Sequence, residues 1–365
     1  MISVLVVDDS VVVRRMIVDA LANEPGIQVV GTAADGKIAL AKIDQLRPDL
    51  VTLDIEMPVM DGLEALRRLR KTHPRLPVIM FSTLTARGAV ATLDALAAGA
   101  SDYVTKPANV GSVSNSTRTI REQLVPRIHV LGGKGKTPAP SRVPASLARP
   151  SAPSGPARVA ATSGVAPKVI AIGASTGGPD ALARLFGAIQ ANLPVPILVV
   201  QHMPPVFTKM FAERLDRQSR LRVMEAADGV AIEPGAVYIA PGDRHMLVVQ
   251  RGTDVVVRLN DAPPENSCRP AVDVLFRSVA RIYGRSTLAA VLTGMGQDGR
   301  RGGVELQGVG AEVIAQDEQS SVVWGMPGAI VNNGLANAVL PLNEIASYLV
   351  SRVAQSRPSR PKVVA

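Results

Sequence analysis

Two groups of residues in this chain of 365 carry side chains of the types and spacing that chemistry needs. In the first, Asp8 and Asp9 close the apolar run VLVV, Asp54 closes VTL, Ser82 closes VIMF, and Lys106 follows DYVT. Carboxylates gathered at one sheet edge repel one another unless a hard divalent cation sits among them, and oxygen ligands of this kind suit Mg²⁺. Ser82 adds a hydroxyl, and Lys106 an ammonium group for an incoming phosphoryl oxygen. A single strand-end aspartate often does no more than cap a helix. Five matched groups at successive strand ends point instead to an acidic pocket that takes phosphate.

The second group begins at Gly173-Ala174-Ser175-Thr176-Gly177, which fits G-x-S-x-G after an apolar strand and before a helix. Small flanking residues allow the tight turn that exposes a serine hydroxyl, and a helix N-terminus favours developing negative charge. The same VIAIGASTGG could also cradle a pyrophosphate. A nucleophilic serine needs a base, and this half holds two histidines, His202 and His245. His202 ends the run ILVVQH, on the sheet edge expected for Ser175, and is the better placed. His245 follows the turn PGDRH and is the alternative. Asp298, in LTGMGQDG just beyond LAAVLTG, is the candidate orienting carboxylate. The glycines around it can turn N–H groups, that of Met295 among them, toward an oxyanion. The order Ser…His…Asp differs from the Ser…Asp…His of α/β-hydrolases, so the elbow does not imply that fold. Cys268, in ENSCRP, has no histidine nearby in sequence and reads as a small buried or loop residue. Arg269, Arg300 and Arg301 read as facing an acidic substrate or simply as solvated surface.

These groups need elements to hold them. Residues 1–125 alternate short apolar runs with amphipathic helices near 11–23, 36–46, 62–72 and 87–98, with a further helix near 116–124 and a strand at QVVGT. That alternation implies a parallel sheet covered on both faces, with ligand chemistry at the carboxyl ends of its strands. Residues 126–167 are rich in Pro, Ala, Ser and Arg and read as a solvated linker. A second alternating pattern spans 168–352, with helices near 179–190, 207–217 and 271–284, and predicts another α/β domain with a mainly parallel sheet. Residues 353–365 read as a basic, disordered tail.

Composition narrows the partners. The net charge is +9, but residues 1–125 balance to zero and residues 169–351 carry 15 basic against 17 acidic groups. The excess lies in 126–168 and 352–365, two segments that do not look folded. A DNA-binding output domain would need a basic recognition element, and only 3% of residues are aromatic, too few for a base-stacking surface. Neither nucleic acid nor membrane insertion is expected. One cysteine excludes a disulfide framework and fits a reducing, cytoplasmic setting.

Asp8, Asp9, Asp54, Ser82 and Lys106, with the MPVMDG turn at 57–62, closely resemble a response-regulator receiver domain of flavodoxin-like fold. The resemblance implies Asp54 as phosphoacceptor, with Asp8, Asp9, Asp54 and the Glu56 backbone carbonyl around Mg²⁺. It also implies Ser82 and Lys106 as switch residues and Tyr103 as the aromatic rotamer position. GASTGG, QHMP, APGDRHM, LTGMGQDG and WGMPGA resemble the catalytic domain of the chemotaxis protein-glutamate methylesterases, the CheB family. That likeness implies Ser175 as nucleophile, His202 as base and Asp298 as its orienting carboxylate. Thr176 would help hold the imidazole, and the Met295 amide would serve the oxyanion.

The expected activity is hydrolysis of glutamyl methyl esters on chemoreceptors, with glutamine deamidation besides, no cofactor for the esterase, and a chemotaxis-type histidine kinase as phosphodonor. The unphosphorylated receiver is expected to cover the Ser175 site. A DNA-binding or nucleotide-binding output is the alternative.

Overall fold

The structure is a computed structural model that describes residues 1–107, 113–133, 165–190 and 193–354. It divides into two compact units, Met1–Pro156 and Ala157–Ala365. Most of the predicted linker and the last residues of the predicted tail lie outside the described residues.

In the first unit β1 (Ile2–Val7), β2 (Ile27–Ala33), β3 (Leu50–Asp54), β4 (Val78–Ser82) and β5 (Asp102–Thr105) alternate with α1 (Val11–Leu21), α2 (Gly36–Leu46), α3 (Gly62–Thr72) and α4 (Ala86–Ala97). The strand order is β2-β1-β3-β4-β5, with every pairing parallel. The apolar strands are buried on both faces, as helices on both sides require. Each helix start is capped by an oxygen: Ser10, Asp35, Asp61 and Thr85 accept from the amides of Val13, Ile38, Glu64 and Gly88.

The last helix of this unit, α5 (Val113–Gly132), corrects the expected boundary at 125. Pro126 removes one N–H from it without ending it. Ile128 and Leu131 are buried beyond the proline, and Arg127 Nε donates to Asp102 Oδ2 at 2.9 Å. Tertiary packing thus carries the helix into the segment read as linker.

The second unit holds a seven-stranded, wholly parallel sheet in the order β14-β13-β12-β6-β7-β9-β8. Its strands are β6 (Val169–Ala174), β7 (Ile197–Gln201), β8 (Arg222–Glu225), β9 (Ala236–Ile239), β12 (Thr287–Val291), β13 (Glu312–Gln316) and β14 (Ala338–Leu340). Helices α6 (Gly178–Ala188), α7 (Phe207–Gln218), α8 (Val272–Tyr283), α9 (Arg300–Gly308), α10 (Met326–Asn332) and α11 (Leu342–Ala354) accompany it. A separate antiparallel ribbon, β10 (His245–Arg251) with β11 (Asp254–Asn260), supplies its Met246, Val248, Val257 and Leu259 to the same core as α8.

Some elements escaped the sequence reading, among them the short β8 and β14 and the helices α9 through α11. The predicted unfolded character of residues 352–365 also fails at its first residue. Arg352 is buried on α11 and pairs with the buried Glu312 at 2.6 Å. Charge in sequence did not reveal that a partner waited on β13.

Candidate active site and acidic pocket

The strand order sets the second site. β6 lies between β7 and β12, so the chain leaves the middle of the sheet in opposite directions on its two sides. Such a crossing leaves a crevice at the carboxyl ends of the strands. Ser175 follows β6, His202 follows β7, and Asp298 lies beyond β12. Ala174 pairs with Gln201 in register, so Ser175 and His202 are the next residues on adjacent strands. Both backbones are tied: the Ser175 amide donates to Thr293 O at 3.0 Å and the His202 amide to Ala174 O at 3.1 Å.

The turn after Ser175 is possible because of its glycines. Gly177 sits at φ +77°, and a Cβ on Gly178 would fall 1.9 Å from Gln201 Oε1. Gln201 is buried, and its Nε2 donates to the carbonyls of Ser175 (3.0 Å) and His202 (3.2 Å). Thr293 Oγ1 donates to Thr176 O at 2.9 Å and accepts from Val323 N at 3.0 Å. The serine is half-buried on a loop held from both flanks.

His202 Nε2 meets Asp298 Oδ2 at 2.8 Å. Asp298 is otherwise saturated: Oδ2 accepts from Val272 N (2.6 Å), and Oδ1 from Asn266 Nδ2 (2.9 Å), Asp273 N (3.0 Å) and Gly299 N (3.0 Å). Val272 and Asp273 open α8, so the carboxylate sits at a helix N-terminus, where negative charge is favoured. Burial pushes Asp298 upward, yet His202 and these amides outweigh it and hold the carboxyl below its usual range. Burial likewise opposes charge on His202, but the bonds to Asp298 and Cys268 lift the imidazole to about 10.

His202 Nδ1 does not face Ser175 Oγ at hydrogen-bond distance among the described residues; it faces Cys268 Sγ, at 3.4 Å. Cys268 is a half-buried loop residue, as expected, and folding brings a histidine 66 positions away in sequence against it. Catalytic hydrogen bonds are commonly looser before substrate binds, so the Ser175 spacing leaves the arrangement intact as a candidate triad.

The alternative base, His245, lies elsewhere. It is buried, its Nδ1 accepts from Ala271 N at 3.2 Å, and its Nε2 donates to Pro263 O at 3.1 Å. Both ring nitrogens are spent on the loop that carries Asn266 and Cys268. Arg269 is also structural, donating to Asp243 Oδ1 and to the carbonyls of Asp261 and Ala262. Met295 is half-buried and Thr176 buried on the two loops beside Ser175.

Asn266 was missed in the sequence. Its Nδ2 bridges Asp298 Oδ1 and Asp273 Oδ2, each at 2.9 Å. Its positive φ of 51°, tolerated best by Asn among non-glycines, is a conformational signal that only the fold reveals.

In the first unit Asp8, Asp9 and Asp54 place ligand oxygens within 4.8 Å of one another. Lys106 Nζ lies 3.0 Å from Asp8 Oδ2 and 2.7 Å from Asp54 Oδ2. Those two oxygens are buried and otherwise without a partner. Burial and the Asp8 charge push Asp54 up to about 6, against the pull of Lys106. Three carboxylates against one ammonium, with buried oxygens to spare, is a donor set that fits Mg²⁺.

Gly62, in the turn after Asp54, is forced: a Cβ there would sit 1.9 Å from Asp54 O. Ser82 is buried and donates to Gly88 O at 3.1 Å; the Lys106 amide donates to Ser82 O at 2.7 Å. Tyr103 is buried, and that burial raises its phenol. The Glu56 side chain is exposed.

Comparison with known proteins agrees with both halves. Residues 170–349 match the family model "CheB methylesterase", and residues 4–117 match "Response regulator receiver domain". A protein-glutamate methylesterase/protein-glutamine glutaminase from Nocardioides sp. is 54% identical over 98% of this chain and 97% of its own length. One of the same description from Trichodesmium erythraeum is 50% identical over 96% and 98%. Among solved structures, the CheB methylesterase catalytic domain of Thermotoga maritima is 44% identical with a TM-score of 0.50, covering 51% of this chain and 99% of that one. These matches support a methylesterase output and not a DNA-binding one, and the chain belongs to the CheB family of receiver-linked methylesterases.

Proposed function

We propose that this protein is a phosphorylation-activated protein-glutamate methylesterase and protein-glutamine deamidase. It acts on the methylated glutamates of chemoreceptors, in the cytoplasm, with a chemotaxis-type histidine kinase as phosphodonor. The observation that carries the esterase reading is the His202–Asp298 pair beside Ser175 at the β7-β6-β12 edge. No described helix is long and apolar enough to cross a membrane.

The chemistry is acyl transfer without a cofactor. Ser175 Oγ attacks the glutamyl ester carbonyl, and His202 takes its proton. Nε2 is committed to Asp298, so Nδ1 is the nitrogen that receives it. Asp298 keeps the ring oriented and supports the imidazolium. The Met295 amide and its glycine neighbours supply donors for the oxyanion, and Thr176 helps hold the ring. His202 then returns the proton to the leaving methoxide, releasing methanol. Water, deprotonated by the same nitrogen, frees the glutamate. With glutamine the leaving group is ammonia.

In the receiver, Asp54 accepts the phosphoryl group, while Asp8, Asp9, Asp54 and the Glu56 carbonyl would hold Mg²⁺. The ion supplies charge neutralisation for the incoming phosphoryl oxygens. Lys106 adds a second positive group, and Ser82 and Tyr103 respond to the new charge. A tenfold activation asks for a bias of only about 1.4 kcal/mol between inactive and active populations.

The test is methanol release from methylated chemoreceptor membranes by the full chain and by Ser175→Ala. Release confined to the wild type supports the assignment. Release that survives Ser175→Ala overturns it.

A further inference from the structure

The turn that carries Cys268 is fixed on every side. Glu265 and Cys268 exchange backbone hydrogen bonds, 3.1 Å from the Glu265 amide and 2.8 Å from the Cys268 amide. Between them Asn266 and Ser267 both take positive φ, 51° and 61°, the geometry of a type I′ turn. Asn266 fastens the turn to Asp298 and Asp273, and the residues after it are fastened by Arg269 and by His245. The thiol is therefore aimed, and it is aimed at His202 Nδ1, 3.4 Å away. Nε2 is occupied by Asp298, so the sulfur lies against the nitrogen on which the esterase reading depends.

We propose that Cys268 is an oxidant- and alkylation-sensitive site that silences the esterase by capping His202 Nδ1. The inference rests on the assignment of His202 as base. Thiol, imidazole and carboxylate stand in line, with Cys268 half-buried and open to small reagents. With peroxide, sulfur attacks one oxygen as the O–O bond breaks. Sulfur is oxidised by two electrons to a sulfenic acid, and peroxide is reduced. The thiol proton passes through His202 to the departing hydroxide, which leaves as water. Iodoacetamide forms a C–S bond as iodide leaves, and His202 takes the proton. Either product places new atoms against Nδ1, the nitrogen that must take the serine proton. Reduction by a dithiol restores the sulfenic acid to the thiol and the base to use.

Cys268 is the sole cysteine of the chain, so a thiol adduct has one address. The full chain, Cys268→Ser and Cys268→Ala are each treated with hydrogen peroxide or iodoacetamide. Intact mass and methanol release are followed in parallel, each variant against its own untreated rate. The expected result is loss of wild-type release in step with the adduct, more than tenfold at full modification. Dithiothreitol reverses the peroxide arm alone, and both variants resist. Full modification with undiminished release, or equal loss in the variants, overturns the proposal.

The rate of iodoacetamide addition is also compared between wild type and His202→Gln, which needs no turnover. It is expected to fall at least severalfold in the variant. An unchanged rate contradicts the thiol–imidazole pairing. If untreated protein releases no methanol, the esterase reading has failed, and this rate still decides whether His202 activates the thiol.

Discussion

The two sites use the same scaffold to opposite electrostatic ends. Each sits at the carboxyl edge of a parallel sheet, with its acidic group next to the strand where the order reverses. In the receiver, two buried carboxylate oxygens have only Lys106 for a partner, and Asp54 is pushed up to about 6. In the esterase, Asp298 receives four protein N–H donors besides His202 and is held below its usual range. An under-neutralised cluster is built to change when an ion and a phosphoryl group arrive. A saturated one is built to stay put while a substrate reacts. The switch stores its unmet demand, and the catalyst has none.

The sharpest way to break this contrast is to unsettle the saturated carboxylate. Asp298→Asn places an amide among donors that need an acceptor and removes the charge behind His202. We expect ester hydrolysis to fall on the order of 10²- to 10⁴-fold. The sign of the pH effect follows from the imidazole, held up at about 10 by this carboxylate and by Cys268. The base must be neutral to act, so the rising limb of kcat/KM lies above the range of an ordinary histidine. Asp298→Asn should move that limb to lower pH, and a pH–rate series checks it. Such a His also adds stability below about pH 6.5 that is lost as pH rises through the folded value. Thermal melts of wild type should decline across that window and those of Asp298→Asn should be flatter.

A smaller effect should follow from the turn. Gly178→Ala drives a methyl into Gln201 Oε1 and displaces the side chain that ties the Ser175 and His202 backbones together. We expect a loss of about 1–3 kcal/mol in urea unfolding and at least a tenfold fall in kcat, with receiver phosphorylation intact. The receiver should respond the other way. Asp54→Asn removes one charge from a crowded buried cluster, so melting in Mg²⁺-free buffer should rise by a few degrees, equivalent to about 1 kcal/mol. The same variant should lose most of the stabilisation that Mg²⁺ gives wild type. Smallest of all, Val206 is exposed and holds φ +72°, a strained value for a β-branched residue. Val206→Gly should gain about 1 kcal/mol or less in urea unfolding, because relief of strain is offset by added freedom in the unfolded chain.

What could be read from the sequence divides along a physical line. Strand-end residues were legible because an apolar run names its own end, and the fold class tells which edge those ends share. The positions of Asp8, Asp54, Ser175 and His202 at their sheet edges were read in this way. That of Asp298 was read from a glycine-rich loop after a strand. Cys268 and Asn266 were not, because they reach the site on an irregular loop whose path is set by His245, Arg269 and a turn of two positive-φ residues. No periodicity records such a path. The continuation of α5 past Pro126 and the buried Arg352 were missed for a related reason: propensity and charge counts do not see the partner that overrides them.

The central claim is that one carboxylate governs control while another, with Ser175 and His202, governs chemistry. Its most direct test is methanol release from methylated chemoreceptors with and without acetyl phosphate and Mg²⁺, for wild type, Asp54→Asn and Ser175→Ala. The account predicts that wild-type release rises with phosphodonor and that Asp54→Asn keeps the unstimulated rate without a rise. Ser175→Ala should release nothing under either condition while still taking phosphate on Asp54. Stimulation that persists in Asp54→Asn, or release that persists in Ser175→Ala, would contradict it.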